Sequence, residues 1–485
     1  MRPNGPHGRR GRANLALDWF ASLLVGATVF VVALGSSSVD RLHAFGGQAR
    51  WVFLLAVAAV AIALAAKRGS LLDALREPLY LATAGLLGLM TLSIAWTVDV
   101  PLTFGRSASF GTLVVAAAAL GWAARGAPRF AERVMLGLLL GAAAVAAAGL
   151  VVLALSYDDA VQAATSDTPP RYRGLGENPN TVSMLAAIAT PLALWAAVTA
   201  AHGRERVFGL ASLVLFYGTI AFSGSRGALL AAFAGSLVVV LGTAPTMSLR
   251  LRHAGVAAAL FVLAVGLGQL PQPSAPPSLV AVGPGTTGGE TTPTATGPTA
   301  TEPTPPRAPG TTTPAEVPPS EVLGGRLADE TGRPTSVSGR TLFTSSGRVL
   351  AWRAAIGQGD NRPLLGYGFG TEDVVFVDRV YTFQGNRPEN SFVGVYLQLG
   401  LAGVALLAVI VLTALRGGMR VIRSLAARPE ALALALAAAG VAFAGAVLAL
   451  VQSYVYSAGN VASLTVWTSL FLLAGAASWN ERTDE

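Results

Sequence analysis

The sequence has no cysteine among its 485 residues and only four histidines. Disulfides, thiol nucleophiles and cysteine-based metal sites are therefore excluded, and the sequence carries no sign of the redox compartment. The histidines are scattered and lack the spacing of a zinc or di-iron site. They are His7, His43, His202 and His253.

Charged residues are also scarce, at 12% of the chain, whereas 53% of the residues are hydrophobic and the mean hydropathy is +0.56. This composition excludes a set of soluble domains and indicates a polytopic membrane protein. The net charge of +8 comes from short basic clusters between apolar runs, as is typical of loops in membrane proteins. A nucleic-acid partner is therefore rejected.

Twelve apolar stretches are long enough to predict membrane-spanning helices. The first lacks a small-x-small cleavage site after it, so we interpret it as a retained helix rather than a signal peptide. Several stretches are rich in Ala and Gly, which favours close helix contacts. The predicted spans are 15–35, 51–66, 79–97, 109–124, 135–155, 181–201, 207–222, 227–243, 254–270, 392–415, 431–452 and 461–478.

The distribution of Lys and Arg predicts the orientation. With the N-terminus in the cytoplasm, nineteen basic residues fall in inside segments and six in short outside loops. The positive-inside rule therefore predicts that both termini are cytoplasmic. The other nine arginines lie in the long loop 271–388, which is then extracytoplasmic and too long for the rule to apply.

The long loop divides by composition. The part over 271–321 is dominated by Pro, Thr, Gly and Ser and is predicted to be disordered. The part over 322–391 contains aromatic residues and is predicted to fold, with a short helix over 346–356 and a glycine-rich turn at 366–370. Membrane domains are predicted over 1–270 and 392–485.

Three polar places lie at predicted outer helix ends: 171–181, 223–227 and 339–391. Each has an ordinary structural explanation. Asn180 or Thr181 would cap a helix, and Arg226 would extend to lipid headgroups. The acid Glu389, directly before a helix, would interact favourably with the helix dipole. Taken singly, these explanations are preferred.

The ordered set of motifs changes the interpretation. Together with the polytopic architecture, it resembles the O-antigen ligase and polymerase family of membrane glycosyltransferases, over roughly 135–415. The motifs are Gly174 to Asn180 (Gly-x-x-x-Asn-Pro-Asn), Ser225 to Ala228 (Ser-Arg-Gly-Ala), Gly347-Arg348 before Trp352, Pro363 to Gly370 (Pro-Leu-Leu-Gly-Tyr-Gly-Phe-Gly), Glu389 to Ser391, and Gly400 to Gly403.

The resemblance implies a GT-C-like membrane fold and transfer of a glycan from a polyprenyl-diphosphate carrier to an acceptor hydroxyl on a glycan or lipid, outside the cytoplasmic membrane. It also implies that Arg226 and Arg348 contact the diphosphate. Glu389 stands where the family's ligases have His, whereas Asn390 and the spacing to Gly400 are kept. A carboxylate can act as the base that imidazole provides.

The remaining site candidates are Arg173, Asn178, Asn180 and Asn390, which would bind sugar hydroxyls or hold the loop. Neither a cofactor nor a metal is expected. Because Glu389 departs from the ligase pattern, a polymerase that joins lipid-linked repeat units is an alternative. A transporter of lipid-linked glycans also suits twelve helices, but the distinctive motifs lie at helix ends rather than near the bilayer midplane. A structural scaffold would leave the Arg and Glu motifs unexplained.

Overall fold

A computed structural model describes residues 6–68, 74–164, 170–199, 203–243, 246–267, 348–376 and 387–480. These residues form an all-α membrane protein with one two-stranded antiparallel ladder, in which Val161 pairs with Tyr172. The helices are α1 Pro6–Leu34, α2 Asp40–Arg68, α3 Pro78–Leu92, α4 Val100–Ala123, α5 Pro128–Leu155, α6 Tyr157–Ala160, α7 Pro179–Thr199, α8 Gly203–Ser223, α9 Arg226–Thr243, α10 Met247–Leu267, α11 Arg348–Gly359, α12 Glu372–Val375, α13 Ser391–Ser424, α14 Pro429–Ala449 and α15 Ser463–Gly475. Strands β1 Val161–Gln162 and β2 Arg171–Tyr172 follow α6, and 3₁₀ turns follow α3 and α15.

Ten helices of the described residues are long and apolar enough to cross a membrane. They coincide with ten of the twelve predicted spans. The other two predictions, 254–270 and 461–478, fall on helices with shorter apolar stretches, Ala257–Leu267 and Ser463–Trp479. The predicted disordered tract over 271–321 lies outside the described residues.

Small residues let the helices approach closely. A Cβ on Gly26 of α1 would lie 2.7 Å from the carbonyl oxygen of Gly137 on α5, so these two backbones are in direct contact. Helix α7 contacts α5, α8, α9 and α14. It is the most enclosed of the ten spans, because 83% of its apolar 18-residue stretch is buried. Close packing of this kind replaces the hydrophobic effect as the main attraction between helices in lipid.

One end of the helix bundle, which we call the site end, gathers the loops that the positive-inside rule predicts to be outside. Glu177 N donates to Ser36 O, the Ser36 hydroxyl donates to Gly459 O, and Phe369 N donates to the Ser93 hydroxyl. The opposite end carries ion pairs, in which Asp18 binds Arg68 and Arg133. The positive-inside rule assigns these last two arginines to the cytoplasmic side.

The predicted helix and glycine turn of the loop are both present. Helix α11 spans Arg348–Gly359, and Gly366, Gly368 and Gly370 all have positive φ, between 64° and 102°. The turn lies against α13 where that helix is broken at Gly400, with φ 61° and ψ −158°. Gly400 is the tenth residue of α13, about 14 Å along its axis at the usual helical rise.

Four backbone hydrogen bonds satisfy the groups that the break releases. They run from Leu401 N to Pro363 O (2.8 Å), Ala402 N to Leu364 O (3.2 Å), Tyr367 N to Leu397 O (3.1 Å) and Gly368 N to Gln398 O (2.9 Å). Irregular backbone inside a membrane protein needs such internal partners, because lipid supplies none. The loop therefore forms a re-entrant turn that is built into the bundle.

Candidate active site

Arg348 and Glu389, predicted separately, lie in contact at the site end. Arg348 is the first residue of α11, and its Nε and Nη2 both donate to Oε2 of Glu389, at 2.9 and 2.7 Å. Their side chains remain 24% and 27% exposed, so a ligand can still reach them. The guanidinium of Arg348, which is expected to bind an anion, is therefore neutralised by the carboxylate of Glu389, which is expected to act as the base.

The backbone at Glu389 is unusual. Among the described residues, Glu389 alone has a positive φ (47°) without being glycine. The left-handed conformation costs about 1–2 kcal/mol for an L-residue, so its surroundings must hold it there. Strain of this kind is concentrated at functional sites.

Asn390 helps to keep the backbone at Glu389 in this conformation. Its Oδ1 accepts from the backbone N–H groups of Phe392 and Val393 and caps α13, while its Nδ2 donates to Leu450 O at 3.0 Å. The side chain of Asn390 is buried, and these bonds hold the loop in this structure. A role of Asn390 in binding sugar hydroxyls stays a prediction.

Arg226 lies at the same end. Helix α8 ends at Ser223 and α9 begins at Arg226, so a tight turn joins them, with Gly224 at φ 62°. The next residue, Gly227, faces Val451, whose Cγ2 would lie 2.7 Å from an added Cβ. Val451 follows Leu450, whose carbonyl oxygen accepts from Asn390. Residues 450 and 451 therefore contact both the Arg226 turn and the residue that follows Glu389.

The loop before α7 braces this turn. Arg171 donates from Nε to Ser223 O at 2.7 Å and from Nη2 to Oδ1 of Asn180 at 3.2 Å. Arg173 donates to the carbonyl oxygens of Asp159 (2.9 Å) and Asp158 (2.8 Å). Arg171 and Arg173 therefore hold backbone in place in this structure, and Asn180 orients the guanidinium of Arg171.

The predicted helix cap was misplaced by two residues. Helix α7 begins at Pro179, earlier than predicted, and Asn178 Oδ1 accepts from the backbone N–H groups of Asn180 and Thr181, at 2.9 and 3.2 Å. Proline is favoured in the first turn because its missing N–H has no helical partner there. The substrate-binding roles of Arg173, Asn178 and Asn180 stay predictions.

A buried acid, Glu372, was missed by the sequence analysis. It is 2% exposed and accepts from Tyr456 Oη (2.6 Å), Ser453 Oγ (2.9 Å) and Gln398 Nε2 (3.4 Å). Burial raises the pKa of the Glu372 carboxyl, against the opposing effects of the hydrogen bonds from Tyr456 and Ser453 and of the charge on Arg387. Burial and the nearby Glu372 also raise the pKa of Tyr456.

The neighbouring acid, Asp373, ties the loop to α4. Arg106 Nη1 and Nη2 each donate to one carboxylate oxygen of Asp373, both at 2.7 Å, and Arg387 lies 3.7 Å away. Burial opposes ionisation, but the hydrogen bonds and charge of Arg106 outweigh it and lower the pKa of Asp373. The sequence did contain a signal for Glu372, namely two adjacent acids shortly after the glycine turn. Acids that become buried need hydrogen-bond partners, so such a pair indicates a polar cluster.

An apolar groove lies between α13, α14 and α15. Its lining includes Phe392, two residues beyond Asn390. Its walls include Ile410, Phe443 and Leu470. The described residues contain no group of three or more His, Asp or Glu side chains placed to hold a metal ion.

Comparison with known proteins adds the family. Residues 211–408 match the Wzy_C family model, described as O-antigen ligase. Curated proteins yield no match to the sequence. The matched segment contains the Arg226 turn, Arg348, the re-entrant turn, Glu389 and the break at Gly400. Residues 211–408 of this multi-pass membrane protein therefore form an O-antigen ligase family domain, and the match supports a membrane glycosyl-transfer role in polysaccharide biosynthesis.

Proposed function

We propose that the protein transfers a glycan from a polyprenyl-diphosphate carrier to an acceptor hydroxyl at the outer face of the cytoplasmic membrane. The observation that carries the proposal is the contact between Arg348 and Glu389, which joins a candidate anion-binding group to a candidate base. The lining of an apolar groove includes Phe392, three residues further along the chain from Glu389. The groove would hold the prenyl tail, so that the diphosphate comes to lie beside the pair.

The reaction needs no covalent enzyme intermediate. The acceptor oxygen attacks the anomeric carbon, the bond from that carbon to the diphosphate oxygen breaks, and the acceptor proton passes to Glu389. Negative charge then grows on the leaving diphosphate, and guanidinium groups stabilise it through charge-assisted hydrogen bonds. Arg226 and Arg348 supply these groups, which would make the transfer independent of metal ions.

The ion pair also suggests an order of events. In the free protein Glu389 neutralises Arg348. A diphosphate carries more negative charge than one carboxylate and competes for the guanidinium, which releases the Glu389 carboxylate to bind the acceptor hydroxyl. Binding of the donor would thus prepare the base.

A polymerase is a second candidate, because Glu389 stands where the ligases have His. The two reactions use the same kind of donor and differ in the acceptor, which is either a finished acceptor molecule or another lipid-linked unit. The geometry of the Arg348–Glu389 pair suits both.

A deletion strain distinguishes the candidates. We would compare its lipid-linked glycan with the finished surface glycan by mass and by gel, with wild-type, Arg226→Ala and Arg348→Ala genes reintroduced. Accumulation of long lipid-linked chains supports a ligase, and accumulation of single lipid-linked repeat units supports a polymerase. Unchanged pools with complete surface glycan would overturn both and favour a transporter.

A further inference from the structure

A buried polar cluster lies directly behind the Arg348–Glu389 pair. We call it the Glu372 cluster, and it consists of Glu372 on α12, Gln398 on α13, and Ser453 and Tyr456 in the loop after α14. Glu372 and Gln398 are 2% and 1% exposed. A charged group this deeply buried requires hydrogen-bond partners, and the cluster supplies three donors.

The directions of these bonds fix the hydroxyl of Ser453. A serine hydroxyl has one proton to donate and two lone pairs to accept with. Ser453 donates its proton to Oε1 of Glu372 at 2.9 Å. Its oxygen then accepts from the backbone N–H of Asn390 at 3.2 Å. The chain of bonds therefore runs from Asn390 through Ser453 to Glu372.

That backbone N–H belongs to the peptide that joins Glu389 to Asn390. A bond to it fixes the orientation of the peptide plane next to the left-handed residue Glu389. Without the bond, the backbone is free to return to negative φ, which most residues prefer. Such a change would turn the Glu389 side chain away from Arg348.

The cluster itself is closed to a substrate. A Cβ on Gly394 would overlap the Tyr456 hydroxyl and lie 2.6 Å from Oε1 of Glu372, so α13 packs directly against the cluster. Glu372 therefore does not meet the reacting atoms, and any effect on the reaction passes through Ser453 and the backbone.

We infer that Glu372 and Ser453 are positioning residues, which hold Glu389 in its left-handed conformation and so direct its carboxylate toward Arg348 and the acceptor. The inference rests on the role proposed for Glu389. It assigns to the 450–456 loop a part in the reaction that neither the sequence motifs nor the family match provides.

The test uses Ser453→Ala, which removes both bonds with little change in volume, and Ser453→Thr, which keeps the hydroxyl. Ser457→Ala, in the same loop, is the matched control because Ser457 takes no part in the cluster. Hydrogen exchange of the full-length protein in nanodiscs, followed on peptides covering 387–393, reports on the Asn390 amide without any substrate.

We expect exchange in Ser453→Ala to be at least about tenfold faster than in wild type, as loss of one hydrogen bond implies. With lipid-linked glycan extracted from the deletion strain as donor, kcat should fall about 10- to 100-fold while KM changes less than about threefold. Ser453→Thr should restore both, and Glu372→Gln should show a smaller loss of the same kind. Ser457→Ala should match wild type.

Unchanged exchange in Ser453→Ala would overturn the inference, as would equal losses in Ser453→Thr and Ser453→Ala. The exchange result does not depend on the proposed function. If Arg348→Ala retained full transfer, the proposed function would fail instead, and the link from the Glu372 cluster to catalysis would fail with it.

Discussion

At the scale of single residues, the account depends on which partner each charged group has. Arg348 has Glu389, Arg106 has Asp373, and the buried Glu372 has hydroxyl and amide donors. The two ion pairs differ in geometry. Arg106 donates to both carboxylate oxygens of Asp373, whereas Arg348 donates to one oxygen of Glu389. In the proposed reaction, the second oxygen of Glu389 accepts from the acceptor hydroxyl.

Replacing Glu389 by Gln separates its two proposed roles. The amide cannot take a proton, so kcat should fall at least about 100-fold. Arg348 loses a competing negative charge, so KM for the lipid-linked donor should stay the same or decrease. Steady-state kinetics in nanodiscs measure both values. Glu177→Gln, an exposed acid at the site end, serves as the control, and a rise in KM with unchanged kcat would contradict the proposal.

The pH dependence of stability tests the state of Glu372. Its pKa is raised by burial, so the folded protein binds this proton more tightly than the unfolded chain. Stability therefore decreases as the pH rises from the ordinary value of 4.5 through the raised pKa, and the penalty is complete above it. Glu372→Gln should show a flatter profile of Tm between pH 4 and 8 than wild type. Parallel profiles would show that Glu372 does not titrate in this range.

At the scale of elements, the re-entrant turn and the break in α13 form one unit. The sequence predicted the glycine turn but not its partner, because the four bonds that join 363–368 to 397–402 connect segments about 35 residues apart. The spacing between Asn390 and Gly400 now has a physical meaning. It sets the length of helix between the cap of α13 and the break that receives the turn.

Gly400→Ala should disrupt this unit. The residue has φ 61°, and an added Cβ would overlap the backbone of Leu364 and lie 2.6 Å from Leu365 N. We expect a loss of more than about 2 kcal/mol, seen as a lower Tm and a lower yield of folded protein. Gly417→Ala is the matched control on the same helix, because nothing lies within 4 Å of its added Cβ and alanine is the better helix former. Equal effects of the two substitutions would mean that the break at Gly400 is unimportant.

At the scale of the whole molecule, hydropathy predicted the spans well, because a membrane-crossing helix needs a long apolar run wherever it lies in the fold. The two weaker cases, 254–270 and 461–478, have the shorter apolar helices. Of the candidate site, motif order singled out Arg348 and Glu389, whose roles stay predictions. Their contact, the left-handed backbone and the Glu372 cluster arise from tertiary packing that no local pattern encodes. The cap at Asn178 was missed because the helix starts at a proline.

The Pro- and Thr-rich tract supplies a test at this scale. Its composition offers too few apolar residues to build a core, so we predict that deleting 272–318 leaves transfer within about threefold of wild type. The finished surface glycan of the deletion strain, complemented with this variant, gives the measurement. An inactive variant that still inserts in the membrane would show that the tract takes part in the reaction.

The proposed mechanism requires Arg348 and Arg226 to stabilise a leaving polyprenyl diphosphate. This requirement is tested by measuring the release of polyprenyl diphosphate by purified protein in proteoliposomes, with lipid-linked glycan and membrane extract from the deletion strain and with EDTA present. Wild type and Arg353→Ala, an exposed arginine on the same helix as Arg348, should release it at similar rates. Arg348→Ala and Arg226→Ala should be slower by at least about 100-fold. Release by Arg348→Ala within twofold of wild type would contradict the account.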